Sequence, residues 1–534
     1  MTRAGDFDVD VVVVGAGFAG LYALYRLREA GWSVRGFEAG GGVGGTWYWN
    51  RYPGARCDVA SVEYSYSFSE ELEQEWVWSE RYAPQAEILR YLDHVADRFD
   101  LRRLIRFDTR VESAVFDAAA GGWEVRTDDG DVTRARFVVM ATGCLSTANL
   151  PDIPGRDRFG GELLHTGRWP HHPVDFAGRR VGVIGTGSSG IQAIPVIAGE
   201  AAEVVVFQRT PNYSVPAHNR PLPADELAAV KARYPDLRER NRRTMVGFAG
   251  WAPPPGGSPL GLSEDERDKA LEERWRDGGL WFLSAFNDVL FNEQSNETVA
   301  GFVRRKIRAA VDDPAVADRL TPTQVIGCKR MCVDTGYFET FNRPNVRLVD
   351  LRETPIEAIT PTGVRTAAED VALDTLVFAT GFDAMTGTLM RIDIRGRDGV
   401  SLQEAWAAGP RTYLGLGVPG FPNLFLVTGP GSPSVLTNMV TSIEHHVEWI
   451  SDCLGHLRSH GYDTIEATEP AADEWVAYVN AVAGITLYTT CNSWYLGANI
   501  PGKPRVFMPL FGFAPYVDTC AAVAADGYRG FDLA

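Results

Sequence analysis

Val11-Val12-Val13-Val14-Gly15-Ala16-Gly17-Phe18-Ala19-Gly20 opens the stretch whose reading decides the fold, and Leu21 to Arg28 and then Val34 to Glu38 complete it. An apolar run, a glycine turn, a longer mixed segment and a second short apolar run read as strand, tight turn, helix, strand. Gly15 permits the turn, Gly17 lets backbone approach a pyrophosphate, and Gly20 lets helix and strand pack closely. The N-terminus of the helix then faces the phosphates with its free N–H groups. Glu38 closes the second strand, roughly 20 residues on, where an acid accepts hydrogen bonds from a ribose diol. A bare GxGxxG also occurs in ordinary glycine-rich turns. The strand before it, the helix after it and the acid at this spacing make it a dinucleotide site.

The pattern recurs. Val181-Gly182-Val183-Ile184 runs into Gly185-Thr186-Gly187-Ser188-Ser189-Gly190, and the following strand is Val204 to Phe207. At the position that matches Glu38 stands Gln208, followed by Arg209 and Thr210. Loss of the acid and gain of a guanidinium and a hydroxyl suit a ribose 2'-phosphate, so this site prefers NADP to NAD. One diol-binding and one phosphate-binding unit imply FAD in the first and NADPH in the second, with hydride transfer between them. The expected architecture is α/β, with two Rossmann-like dinucleotide-binding domains and an inserted helical domain. Its parts run 1–144 (FAD), 145–215 (NADP), 216–327 (helical), 328–382 (NADP again) and 383–534 (FAD again).

A chain of 534 residues exceeds one core, and its composition, 45% hydrophobic and 23% charged, is that of a globular enzyme. The net charge of -17 argues against nucleic acid or an anionic membrane as partner. Seven cysteines without framework or zinc spacing predict reduced thiols and a cytoplasmic protein. Met1 to Asp6 lacks a targeting signal, and no apolar run is long enough to span a bilayer. His171-His172 and His445-His446 lack acidic or cysteine partners at metal spacing, so no metal is expected.

Between the motifs, the glycines and packed aromatics of Gly40 to Asp58 suggest a loop around a planar ligand, or an ordinary aromatic corner. Asp58 among aromatics calls for a cationic partner. Ala86 to Phe99 has helical period, and Trp123 to Thr127 and Val132 to Met140 form a hairpin over Asp128-Asp129-Gly130-Asp131. Ala141-Thr142-Gly143 and Ala379-Thr380-Gly381 each end an apolar strand, which fits a crossing close to a cofactor. Pro221 to Thr321 is polar and helix-rich, with a Ser263–Glu266 capping box and a helix start at Asp313-Pro314. Adjacent Lys329 and Arg330 are either solvated or functional. Leu424 to Thr428 reads as a strand leading to Gly429-Pro430-Gly431-Ser432-Pro433-Ser434 and a helix from near Val435, whose start would face the flavin. Met439 lies on its first turns. Trp494 to Arg505 is an aromatic, turn-rich loop, either a lid over the nicotinamide or a structural tail.

Phe159 to Pro170 fits FxGxxxHxxxWP through Phe159, Gly161, His165, Trp169 and Pro170. With both glycine motifs, the whole chain resembles the type I Baeyer-Villiger monooxygenases, and most of all their phenylacetone and steroid monooxygenase branch. That resemblance implies a flavin C4a-peroxide, formed with NADPH and O2, that inserts one oxygen beside a ketone carbonyl to give an ester or lactone. The substrates implied are bulky cyclic, aryl or steroid-like ketones, with sulfoxidation as a side activity and no protein partner. Arg330, oriented by Asp58, is the implied catalytic charge. Gly45, Thr46, Trp47, Tyr48, Asp58, Tyr64, Val111 and Met439 join the first motif around FAD. Lys329, Arg330 and Trp494 join the second around NADP, with Lys329, Arg209 and Thr210 on the 2'-phosphate. Ser434, Val435 and Leu436 line the substrate pocket, and His165 links domains rather than acting as a base. An N- or S-hydroxylating flavin monooxygenase is the competing reading, which Trp169-Pro170 and Arg330 oppose. A disulfide reductase lacks its cysteine pair near the flavin, and a flavoprotein sensor would bind NADPH with little turnover.

Overall fold

The computed structural model describes residues 7–250, 252–504, 508 and 511–534; Met1 to Asp6 and Arg505 therefore lie outside the described residues. Val9–Val14, buried along its length, pairs in parallel with Val34–Phe37 on one side and Val132–Met140 on the other. Such a continuous apolar strand, without alternation, is what a parallel sheet covered on both faces requires. The sheet grows to eight strands through the antiparallel pairs of Val111–Asp117, Gly122–Thr127 and Val132–Met140, the last two joined through Gly130 at φ +87°. Two late strands, Asp393–Arg395 and Leu424–Leu426, return to it from the far end of the chain.

A second sheet of five parallel strands runs in the order Val346–Asp350, Glu203–Gln208, Arg180–Ile184, Thr375–Phe378, Glu162–His165. Its strands come from two stretches separated by a helical region that includes Tyr234–Arg243, Glu264–Asp277 and Glu293–Ala310. Glu264–Asp277 begins with the reciprocal Ser263–Glu266 capping box, and Asp313 caps Pro314–Leu320. The longest helix, Met439–His460, lays one face on the first-motif helix Phe18–Glu29 in the first core. Among the described residues, no helix is long and apolar enough to cross a membrane.

Two expectations need correction. The helix expected from near Val435 begins at Met439, after a single 3-10 turn over Ser434–Leu436. Ser434 sits at φ +43° and Thr437 is extended, so the helix cannot extend back to the glycines. Asn438 caps it instead, accepting from Val440 N–H at 3.1 Å while donating to Glu63 carbonyl oxygen at 2.7 Å. The cysteines are also not all thiols: Cys328 and Cys491 form a disulfide, while Cys57, Cys144, Cys332, Cys453 and Cys520 are free and buried. The 163 residues between the bonded pair conceal a Cα separation of 6.1 Å, well within bridging range.

Glu444, on Met439–His460, is buried and accepts from Ser67 N–H at 2.6 Å and Ser67 Oγ at 2.7 Å. Burial pushes its carboxyl up to about 7, with Arg238 opposing and Glu448 adding to the rise. A carboxyl raised in the folded state favours folding while protonated, and that stability is lost as pH climbs from its ordinary value toward about 7. The wild-type Tm is therefore expected to fall relative to Glu444→Gln between pH 5 and pH 7.5, as differential scanning fluorimetry would read. A constant difference across that window would contradict the assignment.

Candidate active site

The two glycine motifs are built on one stereochemical plan. Gly15 and Gly185 sit at φ +107° and +110°, and a Cβ on either would lie 2.5 Å from the carbonyl oxygen of Ala141 or Ala379. A Cβ on Gly20 would meet Gly15 oxygen at 1.8 Å, and one on Gly190 would meet Gly185 oxygen at 2.3 Å. The strand–turn–helix units are thus closed against the two Ala-Thr-Gly segments, where only glycine fits. Their helices start at Gly17 and Gly187, neither with a side-chain cap, which leaves the first N–H groups for an anion. A Cβ on Gly187 would meet nothing within 4 Å, so open space lies where a pyrophosphate fits.

Glu38 is buried and accepts from the N–H groups of Ala16 and Gly40, both at 2.8 Å. Burial raises its carboxyl, and these backbone donors pull the other way. Each oxygen keeps lone pairs for a diol. Gly45 starts the short helix Thr46–Trp49, which brings Trp47 Nε1 to 3.3 Å from Tyr64 oxygen; Val111 opens its strand on the other side of the sheet. At the second site Gln208 is buried, and its amide donates to the Arg319 carbonyl at 2.9 Å, so it ties the sheet to the helical region. Thr186 Oγ1 donates to Thr210 carbonyl oxygen at 3.1 Å. Burial, and then the nearby Arg209 charge, lower the Lys329 ammonium below its usual range. Among the described residues neither forms a salt bridge, so the cations are arranged for an anion that is not a side chain. The donor sets fit FAD and NADP.

Arg330 stands at the junction. Its Nε and Nη2 grip both oxygens of Asp58 at 2.9 and 2.8 Å, and Nη1 donates to Val435 carbonyl oxygen at 2.9 Å. Tyr495 lies beside it, and burial pushes that phenol up while Arg330 pulls it down. Desolvation alone would weaken the guanidinium, but Asp58 and Tyr495 more than reverse it and hold the pKa above its usual value. Beside it lies a small apolar cluster of Cys144, Ala384, Met385, Val435, Tyr495 and Met508, flanked by Leu145, Leu436, Met439 and Trp494. Ser434 Oγ approaches Met385 Sδ at 3.8 Å. The structure thus gathers Asp58, Arg330, Ser434 to Leu436, Met439 and Trp494 around one space, although they come from four distant stretches. Tyr495 was not singled out in the sequence; its place next to Trp494 was the available signal.

The FxGxxxHxxxWP segment joins the two sheets. A Cβ on Gly161 would meet Asp374 carbonyl oxygen at 2.3 Å, while Phe159 flanks the core of the second sheet. Trp169 N–H donates to Trp49 carbonyl oxygen at 3.3 Å, past which the chain turns at Pro170, and His171 packs on Tyr48 at 4.5 Å. His165 is buried, which lowers its pKa. Its Nδ1 accepts from Gly167 N–H at 2.9 Å, and Nε2 faces Asn149 carbonyl oxygen and Thr380 Oγ1 at 3.4 and 3.3 Å. Both nitrogens are occupied by the chain, so it is neutral and structural here.

Two dinucleotide folds meeting at a half-buried arginine define a flavin- and nicotinamide-dependent oxidoreductase. The flavin-binding monooxygenase-like family model matches residues 8–227. An oxidised steroid monooxygenase bound to NADP is 55% identical, with a TM-score of 0.94 over 98% of this chain and 99% of that one. The acetone monooxygenase (methyl acetate-forming) of Gordonia sp. strain TY-5 is 43% identical over 98% of this chain and 99% of its own. The phenazine N-monooxygenase PhzNO1 of Lysobacter antibioticus is 41% identical over 98% and 97%. The chain belongs to the flavin-binding monooxygenases, among the Baeyer-Villiger ketone monooxygenases.

Replacing Arg209 with alanine is expected to weaken NADPH by about tenfold to a hundredfold in KM, the worth of one charge-assisted hydrogen bond. NADH, which lacks the 2'-phosphate, is expected to change little. Equal losses for both nucleotides in steady-state assays would remove the residue from that role.

Proposed function

We propose that this enzyme oxygenates bulky cyclic, aryl or steroid-like ketones, placing one oxygen atom between the carbonyl carbon and its better-substituted neighbour. The observation that carries this reading is the half-buried, bidentate Asp58–Arg330 pair beside the apolar cluster. When bound, FAD and NADPH supply the electrons and the activation of O2. The chain supplies the rest. The Arg330 guanidinium stays charged throughout, and it opposes the negative charge that gathers on the ketone oxygen as the carbonyl carbon is attacked. Asp58 fixes the plane of that guanidinium, so the charge is preorganised. Ser434, Val435, Leu436 and Met439 form an apolar wall that excludes water. Lys329, Arg209 and Thr210 hold the 2'-phosphate, Glu38 the ribose diol, and Trp494 closes over the nicotinamide half. His165 moves no proton, because both its nitrogens are engaged by Gly167, Asn149 and Thr380. We assign the protein to the cytoplasm, where NADPH is supplied, with O2 and a small ketone as its reaction partners.

N-oxygenation is the second reading, favoured by the 41% identity to a phenazine N-monooxygenase. NADPH consumption against cyclic, aryl and steroid-like ketones and aromatic N-heterocycles, with products weighed by mass spectrometry, separates the two. An ester or lactone one oxygen heavier is the expected product, and an N-oxide with no ketone product would replace this reading by the second. Arg330→Ala is expected to retain yellow FAD and its bleaching by NADPH while losing at least about 10²-fold in ester formation. Undiminished ester formation would overturn the role given to Arg330.

A further inference from the structure

The Cys328–Cys491 disulfide joins two segments that both reach the site. Cys328 is fully buried and immediately precedes Lys329 and Arg330. Cys491 is partly exposed and stands shortly before Trp494 and Tyr495. The bond therefore ties the turn that carries Lys329 and the half-buried Arg330 to the loop that carries the two aromatics. Non-covalent ties run along the same seam. Tyr495 packs in one apolar cluster with Val435 and Ala384, and Leu487 N–H donates to Leu290 carbonyl oxygen at 2.8 Å. Beyond the aromatics, Asn499 donates to Phe382 carbonyl oxygen at 2.8 Å and Lys503 pairs with Asp383. The disulfide is the covalent member of a set that closes this loop over the site.

We propose that Cys328 and Cys491 form a thiol-exchangeable staple that holds the Trp494–Tyr495 loop against Lys329–Arg330 and keeps water from the site. This rests on the role given to Arg330 above. In the opening step a thiolate from a small dithiol attacks Cys491 Sγ, on the less buried residue of the pair; the protein S–S bond breaks and Cys328 leaves as a thiolate that takes a proton. The second thiolate of the dithiol attacks its own sulfur in the mixed disulfide and releases Cys491. Two electrons pass from the dithiol to the protein, and the reagent ends as a cyclic disulfide. Exchange in reverse with a small disulfide closes the staple. The other five cysteines are buried free thiols and do not compete for the reagent.

The test uses FAD-loaded wild-type enzyme with and without dithiothreitol, and Cys491→Ser as a second route to the open form. After alkylation and digestion without reductant, mass spectrometry is expected to find one cross-linked peptide pair carrying Cys328 and Cys491, absent after dithiothreitol. Limited proteolysis within 487–504 is expected to speed up several-fold in both open forms. The share of NADPH oxidation that yields hydrogen peroxide without ketone is expected to rise several-fold. Absence of the cross-link overturns the proposal, as does a cross-link whose opening changes neither proteolysis nor peroxide yield. Failure to oxygenate any ketone in either state would count against the functional reading, while proteolysis would still decide the staple.

Discussion

Withdrawing a guanidinium from water is costly unless its charge is matched and its donors are filled, and the site is arranged around that demand for the half-buried Arg330. Asp58 supplies both carboxylate oxygens and Val435 a carbonyl, with the Tyr495 phenol alongside. Each partner comes from a different segment: the aromatic loop after the first motif, the turn before the longest helix, and the tail loop. Satisfying one side chain therefore fixes three loops relative to the second sheet. The pair is weak evidence for stability, since desolvation offsets much of its attraction, but a displaced loop would leave an uncompensated charge. Its value is positional: it holds a permanent positive charge next to an apolar wall. Lys329, one residue away, has the opposite circumstances, with Arg209 as neighbour and no carboxylate. Adjacent cations in the chain are thus separated by environment into an oriented charge and an anion receptor.

The duplicated nucleotide units follow from a second constraint, that backbone must approach backbone where phosphate is to be held. Matching collisions at Gly15 and Gly185, and at Gly20 and Gly190, place the Ala-Thr-Gly ends of two other strands against the turns. Those ends are also the crossings between the two sheets. Asn149 N–H donates to Gly381 carbonyl oxygen at 2.8 Å, and Thr380 Oγ1 donates to Asn149 carbonyl oxygen at 2.6 Å. His165 adds its ring to that knot, which explains why a histidine distant from Arg330 belongs to the FxGxxxHxxxWP pattern.

Most of this frame was legible because its signals are local. Apolar strands running into glycines, a capping box and a hairpin turn each state their structure within a dozen residues. Asp58 was legible on its own as a carboxylate that needed a cation, and only the family resemblance named Arg330 as that cation. What escaped depends on juxtaposition. The Cys328–Cys491 bond spans 163 residues, and no spacing rule reports it. The late start of Met439–His460 depends on Ser434 adopting φ +43°, a conformation its sequence does not advertise. Gln208 fits the pattern of a lost acid, yet its amide is spent on Arg319, a partner brought there by the helical region. Tyr495 is distinguished from other buried tyrosines only by what lies across from it.

The tail loop shows how a closed site can still exchange its nucleotide. Among the described residues its ties to the core combine the packing of Trp494 and Tyr495 on the apolar cluster with polar contacts, Asn499 to Phe382 and Lys503 to Asp383 and Ala384. Hydrogen bonds of this kind, some to charged groups, are each worth about 0.5–3 kcal/mol net, so together they lie within reach of the free energy of binding a ligand. The disulfide lies outside that range, because no binding event severs a covalent bond.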